Sequence, residues 1–192
     1  MQPRHLASLL AFGLALVAAA PVCAQYRSTT GRGRVEIALD HAWGFGSEGE
    51  HLQLASDLRV YAPFGFGAVF RAGLASQLLS NALAFDLGVA QRFDLVAGPR
   101  AGLQLALAVG GSYANGPFAP DSVASLPFHE RSVDALGGFA MVHLDVWIDT
   151  FFFGAGVSGH LLRATGDAHQ ARGGELLTSV APTLRLGGEW GL

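Results

Sequence analysis

The sequence has a single cysteine among its 192 residues, and that residue, Cys23, lies close to the amino terminus. The chain after it has no cysteine with which to form a disulfide, a thiolate metal site or a thiol nucleophile. Charged residues are also few, at 14%, and the net charge of −3 comes without any run of basic residues. Because neutralising phosphates needs clustered Lys and Arg, this composition argues against nucleic acid as a partner.

Long apolar runs are missing beyond the first segment of the chain. No later stretch reaches the roughly 20 apolar residues that a membrane-spanning helix needs. The chain is nevertheless rich in apolar residues, at 51%, and contains 26 glycines, so it does not have the composition of a disordered protein. A fold built from strands is the remaining expectation.

The first segment reads as a secretory signal peptide. Arg4 and His5 form a charged start, Leu6 to Ala20 is an apolar run of about fifteen residues, and the small-residue motif Val22-Cys23-Ala24 follows. The run is shorter than a spanning helix. We therefore predict cleavage after Ala24, with 1–24 as the signal peptide and 25–192 as one domain.

Apolar residues recur with period two along the mature chain, as in strands whose two faces meet different surroundings. In the first run Val35, Ile37 and Leu39 alternate with Glu36 and Asp40. Eight such runs are present: Arg34 to Phe45, His51 to Tyr61, Gly67 to Gln77, Leu83 to Phe93, Arg100 to Gly111, Val133 to Val146, Phe152 to Arg163 and Leu176 to Leu192. Each is long enough to cross a bilayer as a tilted strand of about 9 to 11 residues.

The intervals between the runs alternate in length. Residues 62–66, 94–99 and 147–151 are short turns, whereas the other set, 46–50, 78–82, 112–132 and 164–175, includes two long loops. Short turns on one side and longer loops on the other are typical of an outer-membrane barrel with a periplasmic amino terminus. The fold class predicted is all-β: an eight-stranded antiparallel up-and-down transmembrane β-barrel.

Alternation alone also fits a soluble barrel with its apolar face inward. The polar face, however, is crowded with Gly and Ala, which suits the narrow interior of eight strands. We therefore assign the polar face to the lumen and the apolar face to lipid. The charge network predicted for the lumen comprises Arg34, Glu36, Asp40, Asp57, Arg59, Arg71, Asp86, Arg92, Arg100, His143, Asp145, His160, Arg185 and Glu189.

Aromatic residues near the strand ends predict two belts at the membrane interfaces. The loop-side belt would contain Trp43 and Phe45. The turn-side belt would contain Tyr61, Phe64, Phe66, Phe93, Trp147, Phe151 and Trp190. Only Asp134 and Arg163 place charge on the apolar face, and both lie at loop junctions.

The last eight residues, RLGGEWGL, resemble the carboxyl-terminal strand signal of bacterial outer-membrane barrels. The matching positions are Arg185, Gly187, Trp190 and Leu192. The whole mature chain is similar in architecture to the small eight-stranded barrels that include the OmpA transmembrane domain, OmpX and OmpW. The resemblance implies the outer membrane of a Gram-negative bacterium, contact with its lipids, and insertion by the barrel assembly machinery.

Two polar pairs could supply catalytic groups. Ser158 and His160 share one face of the seventh run, and His143 and Asp145 share one face of the sixth, which offers a nucleophile, a base and an orienting carboxylate. Membrane lipid A deacylases use a His and a Ser two residues apart on a lipid-facing strand. Here the order is reversed and the pair should face a packed lumen. We interpret these residues as an interior hydrogen-bond network and predict no catalytic site.

The two long loops carry further polar and aromatic residues. His129, Glu130, Arg131, Asp167, His169 and Arg172 lack the ligand spacing of zinc motifs, so we expect solvated loop residues, no metal and no cofactor. Phe118 and Phe128 could contact the outer leaflet or an extracellular partner. The predicted role is structural or interactive, through loops 112–132 and 164–175. The alternatives are a narrow pore and a lipid-modifying enzyme.

Overall fold

The computed structural model describes residues 33–46, 49–77, 80–98, 100–116, 133–165 and 176–192. The predicted signal peptide, most of the loop 112–132 and most of the loop 164–175 lie outside these ranges. The described residues form eight strands: β1 (Arg34–Gly46), β2 (Gly49–Tyr61), β3 (Phe66–Gln77), β4 (Ser80–Ala97), β5 (Ala101–Gly116), β6 (Val133–Ile148), β7 (Phe151–Ala164) and β8 (Leu176–Gly191).

Each strand pairs antiparallel with the next, and β1 pairs with β8 to close the barrel. The predicted eight-stranded up-and-down barrel is confirmed. The N–H of Leu192 donates to the carbonyl of Gly33 at 2.8 Å, so the first and last described residues meet at one rim. The same rim carries the turns that follow β2, β4 and β6.

Two of these three turns contain a residue in the left-handed region. Gly65 has φ of 81° and ends the first turn, where its N–H donates to the carbonyl of Ala62 at 2.9 Å. In the third turn only two residues separate β6 from β7, and Asp149 has φ of 53°. Such left-handed positions let antiparallel strands reverse within two residues. On β4 a register shift beside Leu95 turns both Leu95 and Val96 outward.

The alternation of burial fixes which face points out. Ile37 and Leu39 expose 51% and 57% of their surface, whereas Glu36, Ala38 and Asp40 are buried. The other strands show the same alternation, with exceptions such as Leu107, which is 6% exposed at an outward position of β5. Large apolar side chains therefore cover most of the outside, and charged or small ones fill the inside. A soluble barrel would have the reverse arrangement. The outer surface is therefore suited to lipid, as predicted. Among the described residues, no helix is long and apolar enough to span a membrane.

Small and apolar side chains fill the loop-side end of the lumen. Ala114, Ala135, Leu162 and Leu177 form a buried cluster there. A second cluster, which includes Tyr61, Val69, Phe139 and Met141, lies further inside. The charged side chains described below pack beside this second cluster, so the charged region of the interior is bounded by apolar contacts.

Two aromatic residues do not belong to the turn-side belt. Tyr61 is only 2% exposed and lies in the interior cluster. The Trp147 ring lies where a side chain on Gly102 would stand, with ring atoms 2.6 Å from that position, on the lumen side of β5 and β6. Both residues share the parity of the lumen-facing side chains on their strands. Their assignment to the lipid-facing belt from position along the strand was therefore wrong.

The closing ladder between β1 and β8 is interrupted at one place. Pairing runs from Arg34 opposite Gly191 to Ala42 opposite Thr183, then resumes at Phe45 opposite Val180. The residue opposite Trp43 in this register is Pro182, which has no N–H to donate. Pro182 keeps its pairing with Val157 on the other side. One proline therefore removes a backbone hydrogen bond from the junction that closes the barrel.

The charged lumen as candidate functional site

The charged side chains of the lumen come from strands on every side of the barrel. On β1, Glu36 and Asp40 point inward because they are four residues apart, which preserves the period of two. Arg185 and Glu189 repeat this spacing on β8, the strand paired with β1. Across the closing junction this spacing places Asp40 opposite Arg185 and Glu36 opposite Glu189.

A continuous chain of contacts, the charge ladder, alternates between acidic and basic side chains along the lumen. Its members are Glu189, Arg92, Glu36, Arg185, Asp40, Arg71, Asp86 and His160. The successive N to O distances are 2.5, 3.2, 3.1, 3.6, 3.2, 3.4 and 3.2 Å. Unpaired charges would be costly in such an interior, and each carboxylate of the ladder has at least one cationic neighbour.

Arg185 is the most connected member of the ladder. Its Nη1 donates to Asp145 at 2.9 Å and its Nη2 to Glu36 at 3.1 Å. Asp40 and Asp57 lie 3.6 and 3.8 Å away, and the guanidinium stands 4.7 Å from the centre of the Phe152 ring. Gly187 leaves room for that ring, since a Cβ there would come within 2.5 Å of it.

Arg59 is held by residues that do not belong to the ladder. Its Nε and Nη2 donate to Asp57 at 3.0 and 2.6 Å, and Nη2 lies 3.4 Å from Nδ1 of His143. Because a guanidinium can only donate, this contact fits the tautomer in which Nδ1 accepts. Nε2 lies 2.9 Å from Oγ1 of Thr183. His143 therefore links Arg59 to β8.

The turn-side mouth is the less buried end of the network. Arg34 contacts Glu189, and both side chains are 17% exposed. Arg92 reaches both Glu189 and Asp94, with Nη2 of Arg92 2.7 Å from Asp94. Asp94 was not among the predicted network residues, because the sequence interpretation ended the strand at Phe93.

The predicted network also omitted Gln104, because its members were chosen for their charge and an amide side chain is neutral. Its Nε2 lies 3.4 Å from both Glu36 and Asp145, and the residue is fully buried. Its place in the alternation could have predicted this, because Gln104 lies on the polar, lumen-facing side of the fifth run.

Arg100 does not lie in the lumen. It is exposed in the turn between β4 and β5, and its carbonyl accepts the N–H of Asp149 at 2.8 Å. The strand begins one residue later, at Ala101, so the alternation that directs side chains inward does not extend to Arg100. The other thirteen predicted network residues point into the barrel, with Arg34 and Glu189 at its mouth.

The two polar pairs considered for catalysis do not form a triad. His160 contacts Asp86 rather than Ser158, and its ring packs against Phe139 at 6.3 Å. The Ser158 hydroxyl is buried and accepts or donates no hydrogen bond within the described part of the chain. A serine without a base at hydrogen-bond distance is not activated as a nucleophile. Nor do the described residues contain a group of three or more His, Cys, Asp or Glu placed to hold a metal ion.

The carboxyl-terminal motif divides between the two faces. Arg185 and Gly187 face the lumen, whereas Trp190 and Leu192 are exposed on the outside, at the rim that carries the turns. The long-loop residues His129, Glu130, Arg131, Asp167, His169 and Arg172, together with Phe118 and Phe128, lie outside the described ranges.

Comparisons with known proteins identify the fold. The N-terminal β-barrel domain of Pseudomonas aeruginosa OprF superposes with a TM-score of 0.55 and 13% identity, covering 84% of this chain and 100% of that domain. Neisserial surface protein A gives a TM-score of 0.52 and 9% identity, covering 82% of this chain and 97% of the other. No protein-family model and no curated protein sequence matches the chain. The chain has the fold of the small eight-stranded outer-membrane β-barrels.

Proposed function

We propose that this chain is an outer-membrane barrel without catalytic activity, whose closed wall and filled lumen form a rigid scaffold that presents the segments 112–132 and 164–175 at the cell surface. The observation that carries the proposal is the charge ladder. Because it alternates in sign and is held together by short contacts, it occupies the interior of the barrel with paired side chains. A scaffold of this kind leaves interaction to its loops.

Measuring conductance across a planar bilayer tests the filled lumen. We expect the refolded protein to produce no steady current. Substituting Arg185 and Glu36 together with alanine should raise conductance, since it removes the centre of the ladder. Steady stepwise currents from the unaltered protein would contradict the proposal.

A narrow pore is the second candidate, and one observation favours it. Several buried polar atoms have no hydrogen-bond partner within the described residues, among them Oδ1 of Asp40, Nη1 of Arg59, Oδ1 of Asp86 and Oδ1 of Asp145. Buried polar groups of this kind commonly bind internal water. If these waters form a connected file, water permeability of proteoliposomes should exceed that of protein-free vesicles even where ion current is absent.

Assays of cells that express the protein test the surface role. A protease added outside intact cells should cut within 117–132 or 166–175 and leave the strands intact. Cleavage only after the outer membrane is permeabilised would place these loops on the periplasmic side and overturn the orientation. The insertion pathway through the assembly machinery is part of the same proposal and rests on the Trp190 motif.

A further inference from the structure

Asp134 and Arg163 carry charge on the outer face, where nearly every large side chain is apolar. Both are exposed, Asp134 near the start of β6 and Arg163 near the end of β7. In the register Arg163 stands opposite Leu136 and Leu176. A lipid-facing Arg is strongly destabilising at the bilayer midplane but is tolerated near the interface. These two charges therefore belong at the headgroup level on the loop side.

Two side chains of β5 hold the Asp134 carboxylate in place. Oη of Tyr113 and Nδ2 of Asn115 donate to Oδ1 of Asp134 at 2.6 and 2.7 Å. The N–H of Thr165 donates to the Asp134 carbonyl at 2.7 Å. The Tyr113 ring stacks on Phe85, with ring centres 6.4 Å apart. Within the described part of the chain Oδ2 of Asp134 accepts no hydrogen bond, and the residue is exposed on the outer face, so Oδ2 is available as an acceptor.

Arg163 offers the complementary group. In the ranges that the structure describes, no hydrogen bond or ion pair engages its guanidinium. The planar fork of Arg donors matches a phosphate group and can bind it through two hydrogen bonds. Arg163 lies opposite Leu136, two residues along β6 from Asp134, so a guanidinium and a carboxylate share this part of the outer face. This combination suits a headgroup that carries a phosphate and hydroxyl groups.

Glycines lie on the outer face towards mid-membrane from these polar groups, beyond the exposed Leu136. Gly111 pairs with Gly138 across β5 and β6, and Gly159 lies opposite Ala140 on β7. A Cβ on Gly111 or Gly159 would meet nothing closer than 3.9 or 3.6 Å, and neither residue has positive φ. At Gly111 and Gly159 neither packing nor backbone conformation requires glycine, whereas a Cβ on Gly138 would lie 3.3 Å from the Gly110 carbonyl. The three glycines form a shallow floor beside the exposed Leu136.

We propose that Arg163, Asp134, Tyr113 and this glycine floor bind one phosphoglycolipid of the leaflet on the loop side. Its phosphate would lie on the Arg163 guanidinium, a sugar hydroxyl would donate to Oδ2 of Asp134, and an acyl chain would lie along the glycines. The inference rests on the proposed function, because it needs the loops to face the leaflet that carries such lipids. It adds a specific lipid site to the general contact of a barrel with its membrane.

Native mass spectrometry of the refolded full chain in detergent, with lipid A added, measures this binding directly. One lipid should be retained per barrel. Arg163→Gln should weaken retention about tenfold, the loss expected for a charge-assisted hydrogen bond. Arg100→Gln is the matched control, since Arg100 is an exposed Arg in a turn at the opposite rim, and it should retain lipid as the unaltered protein does. Equal retention by both variants would overturn the proposal.

Two further variants test the carboxylate and the floor. Tyr113→Phe removes one donor to Asp134 and should weaken retention without removing a charge. Gly111→Leu should block the acyl chain, whereas Ala68→Leu, on the outer face of β3, should not. If both Tyr113→Phe and Gly111→Leu retained lipid as the unaltered protein does, only the charge of Arg163 would matter, and the proposed geometry would be wrong.

Competing ligands separate the sources of phosphate. Lipid A should bind more tightly than phosphatidylglycerol, and inorganic phosphate should not displace it, because acyl and sugar contacts contribute. Equal binding of lipid A and phosphatidylglycerol would contradict the assignment to a phosphoglycolipid. A chain that forms no heat-modifiable barrel in detergent would instead contradict the proposed function itself.

Discussion

Nη2 of Arg185 lies 3.1 Å from Oε2 of Glu36, and both side chains are fully excluded from solvent. These residues belong to the last and the first strand, so their contact exists only when the barrel is closed. A one-residue slip of β8 would turn Arg185 outward into lipid. The ion pair therefore helps to specify the register in which the barrel closes.

Removing Arg185 should be strongly destabilising. Arg185→Met would leave Glu36, Asp40 and Asp145 without their shared cation, and breaking a buried ion pair in this way costs about 3 to 5 kcal/mol. Urea unfolding of the refolded protein in lipid vesicles measures the change. Arg100→Met, at an exposed turn position, should change the free energy of unfolding by no more than about 0.5 kcal/mol. Equal stability of the two variants would show that the Arg185 contacts contribute nothing.

A charge introduced on the outer face should be costly at mid-strand and tolerated at the rim. Val142 is exposed in the middle of β6, and Phe64 is exposed in the first turn. Val142→Arg should destabilise by about 2 to 4 kcal/mol and Phe64→Arg by about 0 to 1 kcal/mol. The same urea titration in vesicles compares them. If Val142→Arg were the milder change, the assignment of this face to lipid would fail.

Restoring a donor at Pro182 should stabilise the closing junction. Pro182→Val supplies the missing N–H opposite Trp43, and the side chain at this position is exposed on the outer face, so no packed neighbour is displaced. One added backbone hydrogen bond is worth about 0.5 to 1.5 kcal/mol. Hydrogen exchange should slow at residues beside the junction, such as Gly44, and the midpoint of urea unfolding should rise. A lower midpoint would mean that the proline relieves strain there.

Replacing the exposed ring of Trp190 should impair assembly more than it impairs stability. Trp190 is 51% exposed at the turn-side rim and lies in the last eight residues, RLGGEWGL. Trp190→Gln should lower the amount of folded protein recovered from cell membranes, measured by heat-modifiable gel mobility. Phe151→Gln removes an exposed aromatic from the same rim outside the octapeptide, and it should have a smaller effect. Equal losses would indicate a general interfacial role rather than a strand signal.

The strand pattern was predictable because period two is a local property of the sequence. Each predicted run overlaps one observed strand, and the inward charges follow from parity alone. Two of the errors share one cause: Tyr61 and Trp147 were assigned by their nearness to a strand end, although their parity already directed them inward. Arg100 was misplaced for another reason, because the strand starts one residue after it.

The partners within the lumen could not be predicted in the same way. Arg71 stands in register with Asp57 and Asp86, yet its Nε bonds Asp40, on a strand that is not its neighbour. Arg59 stands in register with Glu36 but donates to Asp57 on its own strand. Contacts across a narrow interior depend on strand tilt and side-chain length, which a pattern of alternation does not contain.

The hydrogen bond between Leu192 and Gly33 brings the two ends of the described chain together, so the order of the strands around the barrel does not depend on where the chain starts. Every strand has a hydrogen-bonded neighbour on each side, and the two ends of the described chain already touch. A short linker between them, with new termini opened at 47–48 or 78–79, would keep every strand pair and every ladder contact. Circular permutants of this chain should therefore fold to the same barrel. Comparing their yields of folded protein would show whether the strand that is synthesised first affects closure of the barrel.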